Sequence, residues 1–299
     1  MTCDVAVVVV AYNSADVVGD LLDSLPAALG DLTADVVVVD NGSVDDTVAV
    51  LQTRGDCRIV ESTNTGYAGG INRGLRAASA APAYLVLNPD VRLDPGAVRP
   101  LLTALDRPGV GIAAPRVRTD AGDLHHSLRR EPTVLRALGL SRVGVPALSE
   151  YVQEAGAYER PGPVDWALGA VLAVSAACAG AVGDWDESYF LYSEETDFCL
   201  RARDAGWATW FAPGSTAVHV GGASGRNDLT HTAQILNRVR LFRRRSGPAA
   251  GAAYFGLTVL SELTWVARGH HQSRASVRAL LRPSTRPAVL GCGTRLVPL

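Results

Sequence analysis

Lysine is absent from the chain: all 28 basic residues are arginine, the better fork for a pyrophosphate. Cysteine is sparse and unpatterned. Cys3, Cys57, Cys178, Cys199 and Cys292 are odd in number and lack metal-ligand spacing, which argues for reduced thiols in a cytosolic protein rather than a disulfide framework or zinc site. No basic region precedes the short apolar run at the N-terminus, so no signal peptide is expected. Long apolar runs are missing too. Only residues 249–267 have transmembrane-like character, and Glu262 with several Ser, Thr and Gly interrupts them. An acid at mid-span costs about 2.5–3.5 kcal/mol, so this segment is expected to lie on a membrane or pack on the domain. Finally, no Gly-x-Gly-x-x-Gly turn follows the first apolar run, which argues against NAD.

The 299 residues, 47% hydrophobic and 19% charged, exclude disorder and allow one large core or two modest domains. Charge is uneven. Residues 225–299 hold 12 arginines against Asp228 and Glu262, a net +10, and the remainder holds 16 arginines against 28 acids, a net −12. A basic tail on an acidic body suggests an anionic partner: a membrane surface or a pyrophosphate-lipid ahead of nucleic acid.

Strand-length and helix-length patterns alternate along the first hundred residues. Val5–Ala11 is a continuous apolar run, and Asn13-Ser14 can cap a helix with Val18, Leu21, Leu22 and Leu25 inward. A strand over 36–39 precedes a helix with Val48 and Leu51 inward. A short strand over 58–60 precedes a Gly-rich stretch leading into a helix carrying Ile71 and Leu75. A strand over 84–87 ends at Asn88-Pro89-Asp90, and Pro95 suits the first turn of a helix reaching about Leu105. Such alternation predicts parallel strands with right-handed crossovers. Residues 119–163, with His125-His126 and Arg129-Arg130, read as a loop-rich, lid-like insertion. Order resumes at Val164-Asp165-Trp166 and over 171–174, then comes a polar-aromatic block over 184–210. The tail after Asn227 reads as helical, with Leu236, Val239 and Phe242 set among arginines.

Several strand ends carry chemistry. Asp40 closes an apolar run and is followed by Asn41-Gly42-Ser43. In an open α/β sheet ligands bind at that edge, where a carboxylate can accept the ring N–H of a uracil or thymine; the competing reading is a helix N-cap by Ser43. Ala11-Tyr12-Asn13, the stretch from Asn64 through Gly66 and Arg73 to Gly74, and Asn88-Pro89-Asp90 also sit at or near strand ends. The glycines permit close backbone approach, or a small-residue helix packed on the sheet, and Arg73 is placed to reach phosphate. Asp90 is a candidate magnesium contact or a turn aspartate. Glu194, Glu195 and Asp197 fall within four residues at a helix start, where Ser193 can cap and the acids themselves favour the helix dipole; one of them can act as a base. Like charges raise one another's pKa while the helix start lowers it, leaving at least one ionised near neutral pH. His219 ends a further strand as a metal or phosphate contact, or a satisfied core residue. His125, His126, His270 and His271 read as surface residues.

Together these residues resemble family 2 glycosyltransferases of the bacterial rhamnosyltransferase-like branch, over roughly residues 5–245. The order and spacing of Tyr12-Asn13, Asp40-Asn41-Gly42-Ser43, residues 64–74, Asn88-Pro89-Asp90, Trp166 with Gly169, Asp186-Glu187 through Trp207, and His219 carry the resemblance. It implies a GT-A fold: α/β, with a Rossmann-like mixed sheet flanked by helices. Residues 1–224 would form the catalytic domain (nucleotide half to about 118, insertion 119–163, acceptor half 164–224), and 225–299 a basic helical tail. It implies an inverting reaction, a divalent cation (Mg or Mn) at Asp90 with His219, the pyrimidine at Asp40, and donor contacts at Tyr12, Asn13, Asn41, Asn64, Gly66, Arg73 and Asn88. Trp166, Gly169, Asp186 and Glu187 would lie on the acceptor side. The general base would be Glu195, with Glu194 and Asp197 beside it. The sequence departs from the family at Asn88, which replaces the first metal-motif acid, and at Glu195, one methylene longer than the usual Asp. The implied partners are a nucleotide-sugar donor (dTDP-rhamnose or a UDP-sugar) and a saccharide acceptor, polyprenyl-pyrophosphate linked, met in the cytoplasm or on the inner membrane face, with no nucleic acid. The alternative is a catalytically silent nucleotide-sugar-binding or scaffold protein; an NAD oxidoreductase ranks third.

Overall fold

The computed structural model describes residues 3–221 and 227–290. The expected boundary at 224/225, and Cys292, lie outside the described residues. The elements run β1 (Val5–Ala11), α1 (Val18–Leu29), β2 (Ala34–Asp40), α2 (Thr47–Gln52), β3 (Arg58–Glu61), α3 (Gly66–Ala77), β4 (Ala83–Leu87), β5 (Val91–Leu93), α4 (Val98–Leu105), β6 (Val110–Arg118), β7 (Leu128–Arg129), β8 (Gly162–Val164), β9 (Trp166–Ala167), β10 (Val171–Ser175), α5 (Ala176–Val182), α6 (Glu194–Asp204), β11 (Ala208–His219), α7 (Asp228–Ala267) and α8 (His271–Leu281).

One mixed sheet organises the molecule, in the order β3-β2-β1-β4-β10-β6-β11-β5, with β8 beside β11. The pairs β3–β2, β2–β1 and β1–β4 are parallel, as the strand–helix alternation predicts. β10 enters antiparallel between β4 and β6, and β5 is antiparallel to β11. All seven residues of β1 are buried because helices cover both faces. Val5, Val7 and Val9 join α1 and α4 in one core cluster, while Val10 joins α3, α5 and α6 in another. A third cluster lies where α7 and α8 meet, around Leu236, Val239, Phe242 and Tyr254.

Three local expectations give way. α1 starts at Val18 with no side-chain cap; the Ser14 hydroxyl instead accepts from the Tyr12 N–H, and the Asn13 carboxamide oxygen from the Val44 N–H. Ser43 does not cap α2, which starts at Thr47; its hydroxyl accepts from the Asn13 N–H. Pro95 sits in a turn ahead of α4 rather than in its first turn. Loops at this sheet edge use their polar side chains to bind each other, which removes them from capping duty.

α3 approaches β1 through glycine. A Cβ on Gly74 would stand 2.2 Å from Val8 Cγ1, and one on Gly70 2.5 Å from Val10 Cγ1. Both valines are buried and cannot swing aside. Gly74→Ala should therefore lower stability by about 1–3 kcal/mol through overpacking, seen in urea unfolding as a lower midpoint at unchanged slope.

Candidate active site

The carboxyl ends of β1, β2 and β4 lie side by side, Ala11 opposite Asp40. The Asn41 N–H donates to the Ala11 carbonyl (2.8 Å), and the Asn88 N–H to Ala170 (2.9 Å) at the start of antiparallel β10. Asp40 is buried at this edge. Its Oδ2 accepts from the Gly42 and Ser43 N–H groups, each at 3.2 Å, while its Oδ1 is buried with no partner among the described residues. Asn41 and Asn64 shape the turn next to it: the Asn41 amide donates to the Gly66 carbonyl (3.0 Å) and to Asn64 Oδ1 (3.3 Å), which accepts from the Gly66 N–H (3.0 Å). Gly66 (φ 81°) is needed there, since a Cβ would meet the Phe190 carbonyl oxygen at 2.2 Å. Tyr12 stands exposed on the rim.

Opposite, α6 delivers the acids. The chain reaches it through Phe190, Tyr192 and Ser193, all at positive φ (58°, 67° and 77°). Fully buried Asn237 of α7 holds this turn: its amide lies 2.7, 2.9 and 3.1 Å from the Tyr189, Leu191 and Tyr192 carbonyls. Ser193, held in the left-handed region, makes no side-chain cap, contrary to expectation. Glu194, Glu195 and Asp197 are all buried. Asp197 is paired with Arg201 (2.6 Å). Glu194 Oε2 and Glu195 Oε2 have no partner among the described residues. Burial pushes all three carboxyls above the usual range. Glu195 adds to the rise at Glu194, whereas helix-start N–H groups and Arg129 pull Glu195 back. Burial, not mutual repulsion, is the leading influence.

Gly169 makes room for this pair, since a Cβ there would lie 3.3 Å from Glu195 Cβ. The Tyr67 hydroxyl donates to the Gly169 carbonyl (3.1 Å). It is pushed far up by burial and then by Glu194, Glu195 and Asp90, so Tyr67 stands among these acids. Asp90 Oδ1 lies 3.2 Å from His219 Nε2. His125 stacks on His219 (centroids 5.5 Å) and is driven down to about 4, first by burial and then by the electrostatic influence of His219, Arg129 and His126 packed around it. His125 and His126, expected on the surface, are instead half-buried, with His126 packed edge-on to Tyr158; His270 and His271 are exposed as expected. Among the described residues no three His, Cys, Asp or Glu gather as a metal cluster. Asp90 with His219 supplies one carboxylate and one imidazole, a set that fits a divalent ion whose remaining ligands are phosphate and water.

Other expected residues are tied up internally. Arg73 donates to Thr65 Oγ1. Asp186 pairs with Arg244 (2.7 Å), and Glu187 accepts from Asn72 (2.9 Å), so both brace α6's approach rather than face the acids. Trp166 donates to the Arg130 carbonyl (3.0 Å) under Arg129, whose guanidinium lies 4.0 Å from the Tyr151 ring. Sequence reasoning missed Tyr67, Arg129 and Asn237. The one available signal was Asn237 itself, a carboxamide on the apolar stripe of Leu236 and Val239.

The glycosyl transferase family 2 model matches residues 6–151. An N-acetylglucosaminyl-diphospho-decaprenol L-rhamnosyltransferase of Mycobacterium tuberculosis is 31% identical over 310 residues, 96% of this chain and 97% of that one. The chain belongs to glycosyl transferase family 2. Among solved structures, a mannosyltransferase from Pyrobaculum calidifontis in complex with GDP-Man and Mn2+ aligns with a TM-score of 0.57 at 16% identity, over 99% of this chain and 84% of that one. GalNAc-T7 with UDP, GalNAc and Mn2+ aligns with a TM-score of 0.60 at 14% identity over 81% of this chain, which spans about half of that one (48%). The GT-A fold and the rhamnosyltransferase-like resemblance expected from the sequence both hold, and the chain is a glycosyltransferase.

A carboxyl whose pKa is raised on folding holds its proton more tightly in the native state. It contributes stability that is complete below the ordinary glutamate value of 4.5 and is lost as pH rises through the raised one. Glu194→Gln, neutral throughout, should flatten this loss, so thermal melts taken across pH should show its advantage over wild type growing from acid to alkaline buffer.

Proposed function

We propose that this family 2 enzyme transfers a sugar, with inversion, from a pyrimidine nucleoside diphosphate donor (dTDP-rhamnose or a UDP-sugar) to a hydroxyl of a polyprenyl-pyrophosphate-linked saccharide. The observation that carries the reading is a pair of buried carboxylate oxygens with no partner among the described residues, Asp40 Oδ1 and Glu195 Oε2, at the two sides of the sheet edge. The first is an acceptor-only atom suited to the N3–H of a uracil or thymine. The second suits an acceptor hydroxyl proton. The lipid-linked acceptor is suggested by the Mycobacterium tuberculosis relative's own name, which specifies N-acetylglucosaminyl-diphospho-decaprenol.

In the reaction Glu195 takes the proton of the acceptor hydroxyl. The new bond forms between that oxygen and the sugar's C1 as the C1–O bond to diphosphate breaks, and the electron pair leaves on the diphosphate oxygen. No covalent enzyme intermediate is needed. Asp90 and His219 would hold a divalent cation, which when bound supplies positive charge for the leaving diphosphate. Gly169 and Tyr67 fix the shape of the acceptor side, and the Asn41–Asn64 turn fixes that of the donor side.

Paired measurements test the roles. Asp40→Asn keeps an oxygen for Gly42 and Ser43 but turns an N–H₂ toward the base, so calorimetry should show UDP or dTDP affinity weakened by about 1–3 kcal/mol. Glu195→Gln should keep that affinity while turnover drops about 10²–10⁴-fold. Unchanged affinity in a folded Asp40→Asn protein would remove Asp40 from the donor site, and near-full turnover in Glu195→Gln would move the base elsewhere. Separately, EDTA should lower turnover and Mn²⁺ restore it, with Asp90→Ala impaired more than Asn88→Ala; full activity in EDTA contradicts the cation role.

A further inference from the structure

We infer that the outer face of the second half of α7, with the arginine face of α8, docks this protein on an anionic lipid bilayer. The inference goes beyond the proposed reaction and does not rest on it. The net positive tail does not act as one block. Arg238, Arg244 and Arg245 are paired with Glu150, Asp186 and Asp204 of the body at 2.6–2.8 Å, and Arg240 is buried against Asn237 and Ser188. These residues hold the tail to the protein. Arg274, Arg278 and Arg282 are different. They recur every four residues, are exposed, and no ion pair joins them among the described residues.

α7 breaks at Gly247 (φ 80°) and Pro248. Beyond the break its one charged residue through Ala267 is Glu262, which is turned inward and lies 3.0 Å from His231 Nε2. The outward stripe is Ala253, Gly256, Leu260, Leu263 and Ala267. Leu260 and Leu263 are 52% and 46% exposed. A helix that only faced water would carry polar residues there. The apolar surface continues sideways: the Ser261 hydroxyl donates to the Leu138 carbonyl (2.9 Å), bringing alongside the turns that expose Leu140, Val143 and Val145. No described helix is long and apolar enough to cross a membrane, so the segment lies in the interface with leucines inserted and arginines at the headgroups. Charge decides between occupants. The exposed Arg274, Arg278 and Arg282 of this tail complement anionic headgroups, whereas the same face of a second copy would meet them with like charge.

The test uses the full chain and sucrose-loaded vesicles of phosphatidylcholine with and without phosphatidylglycerol. Cosedimentation should require the anionic lipid and fall with added salt. Arg274→Ser/Arg278→Ser/Arg282→Ser should weaken it on the order of a hundredfold, and Leu260→Asp/Leu263→Asp about tenfold or more. Both variants alter exposed side chains and should melt like wild type. Absence of binding, equal binding to the two vesicle types, or variants that bind like wild type would each overturn the inference. So would a concentration-dependent dimer lost in the leucine variant, with no vesicle binding, since a second copy would then own the face.

Discussion

The site depends on a run of backbone that would not hold its shape alone. Phe190, Tyr192 and Ser193 all occupy the left-handed region, where residues with side chains pay a steric cost of about 1–3 kcal/mol each. That run aims α6 so that its first two residues are buried acids facing the sheet edge. The carbonyls of Tyr189, Leu191 and Tyr192, in and beside this run, converge on one carboxamide, Asn237, which is itself oriented by Arg240 at 2.8 Å. A buried polar group left unpaired costs about 1–3 kcal/mol, so the turn and the helix that satisfies it stand or fall together. The tail that reads as a basic appendage in the sequence is, over its first half, part of the frame of the candidate site.

The same interdependence decides what was legible in the chain. β1, β2 and β4 are readable because strands buried on both faces are unbroken apolar runs, and their ends place Asp40 and Asp90 without further information. α6 is readable from its acids and its inward Phe198 and Leu200. β6 gives no such signal, being interrupted by Gly111 and Pro115, and the pairing of β6 with β11 is long-range. His125 follows from exactly that gap: its N–H donates to the Val117 carbonyl of β6, and only this docking puts its ring on His219. The absence of caps at Asn13 and Ser43 has a related reason. Short polar side chains satisfy whichever N–H tertiary structure brings near, and for these two that is a neighbouring loop about 30 residues away rather than the next helix, while Ser14 bonds within its own turn at Tyr12.

Close packing also fixes the root of Glu195. Any side chain at position 169 would crowd Glu195 Cβ and Cγ, a Cβ there standing 3.3 and 3.6 Å from them. Gly169 also offers the carbonyl that receives the Tyr67 hydroxyl, so one glycine both leaves room beside the buried acid and anchors the tyrosine near it.

Electrostatics then ties the insertion to the chemistry. The proposed base is buried, and burial favours its neutral form, the form that accepts no proton from an acceptor. Glu194 beside it is pushed further in the same direction. After the helix-start N–H groups, the charge that opposes this at Glu195 is that of Arg129, which is not on α6. It stacks on Tyr151, donates to the Leu128 carbonyl at 3.0 Å, and sits where β7 pairs with β9. The insertion therefore supplies, beside the helix-start N–H groups, a guanidinium that offsets part of the rise burial imposes on Glu195. What the loop-rich segment contributes is thus less a cover than a counter-charge.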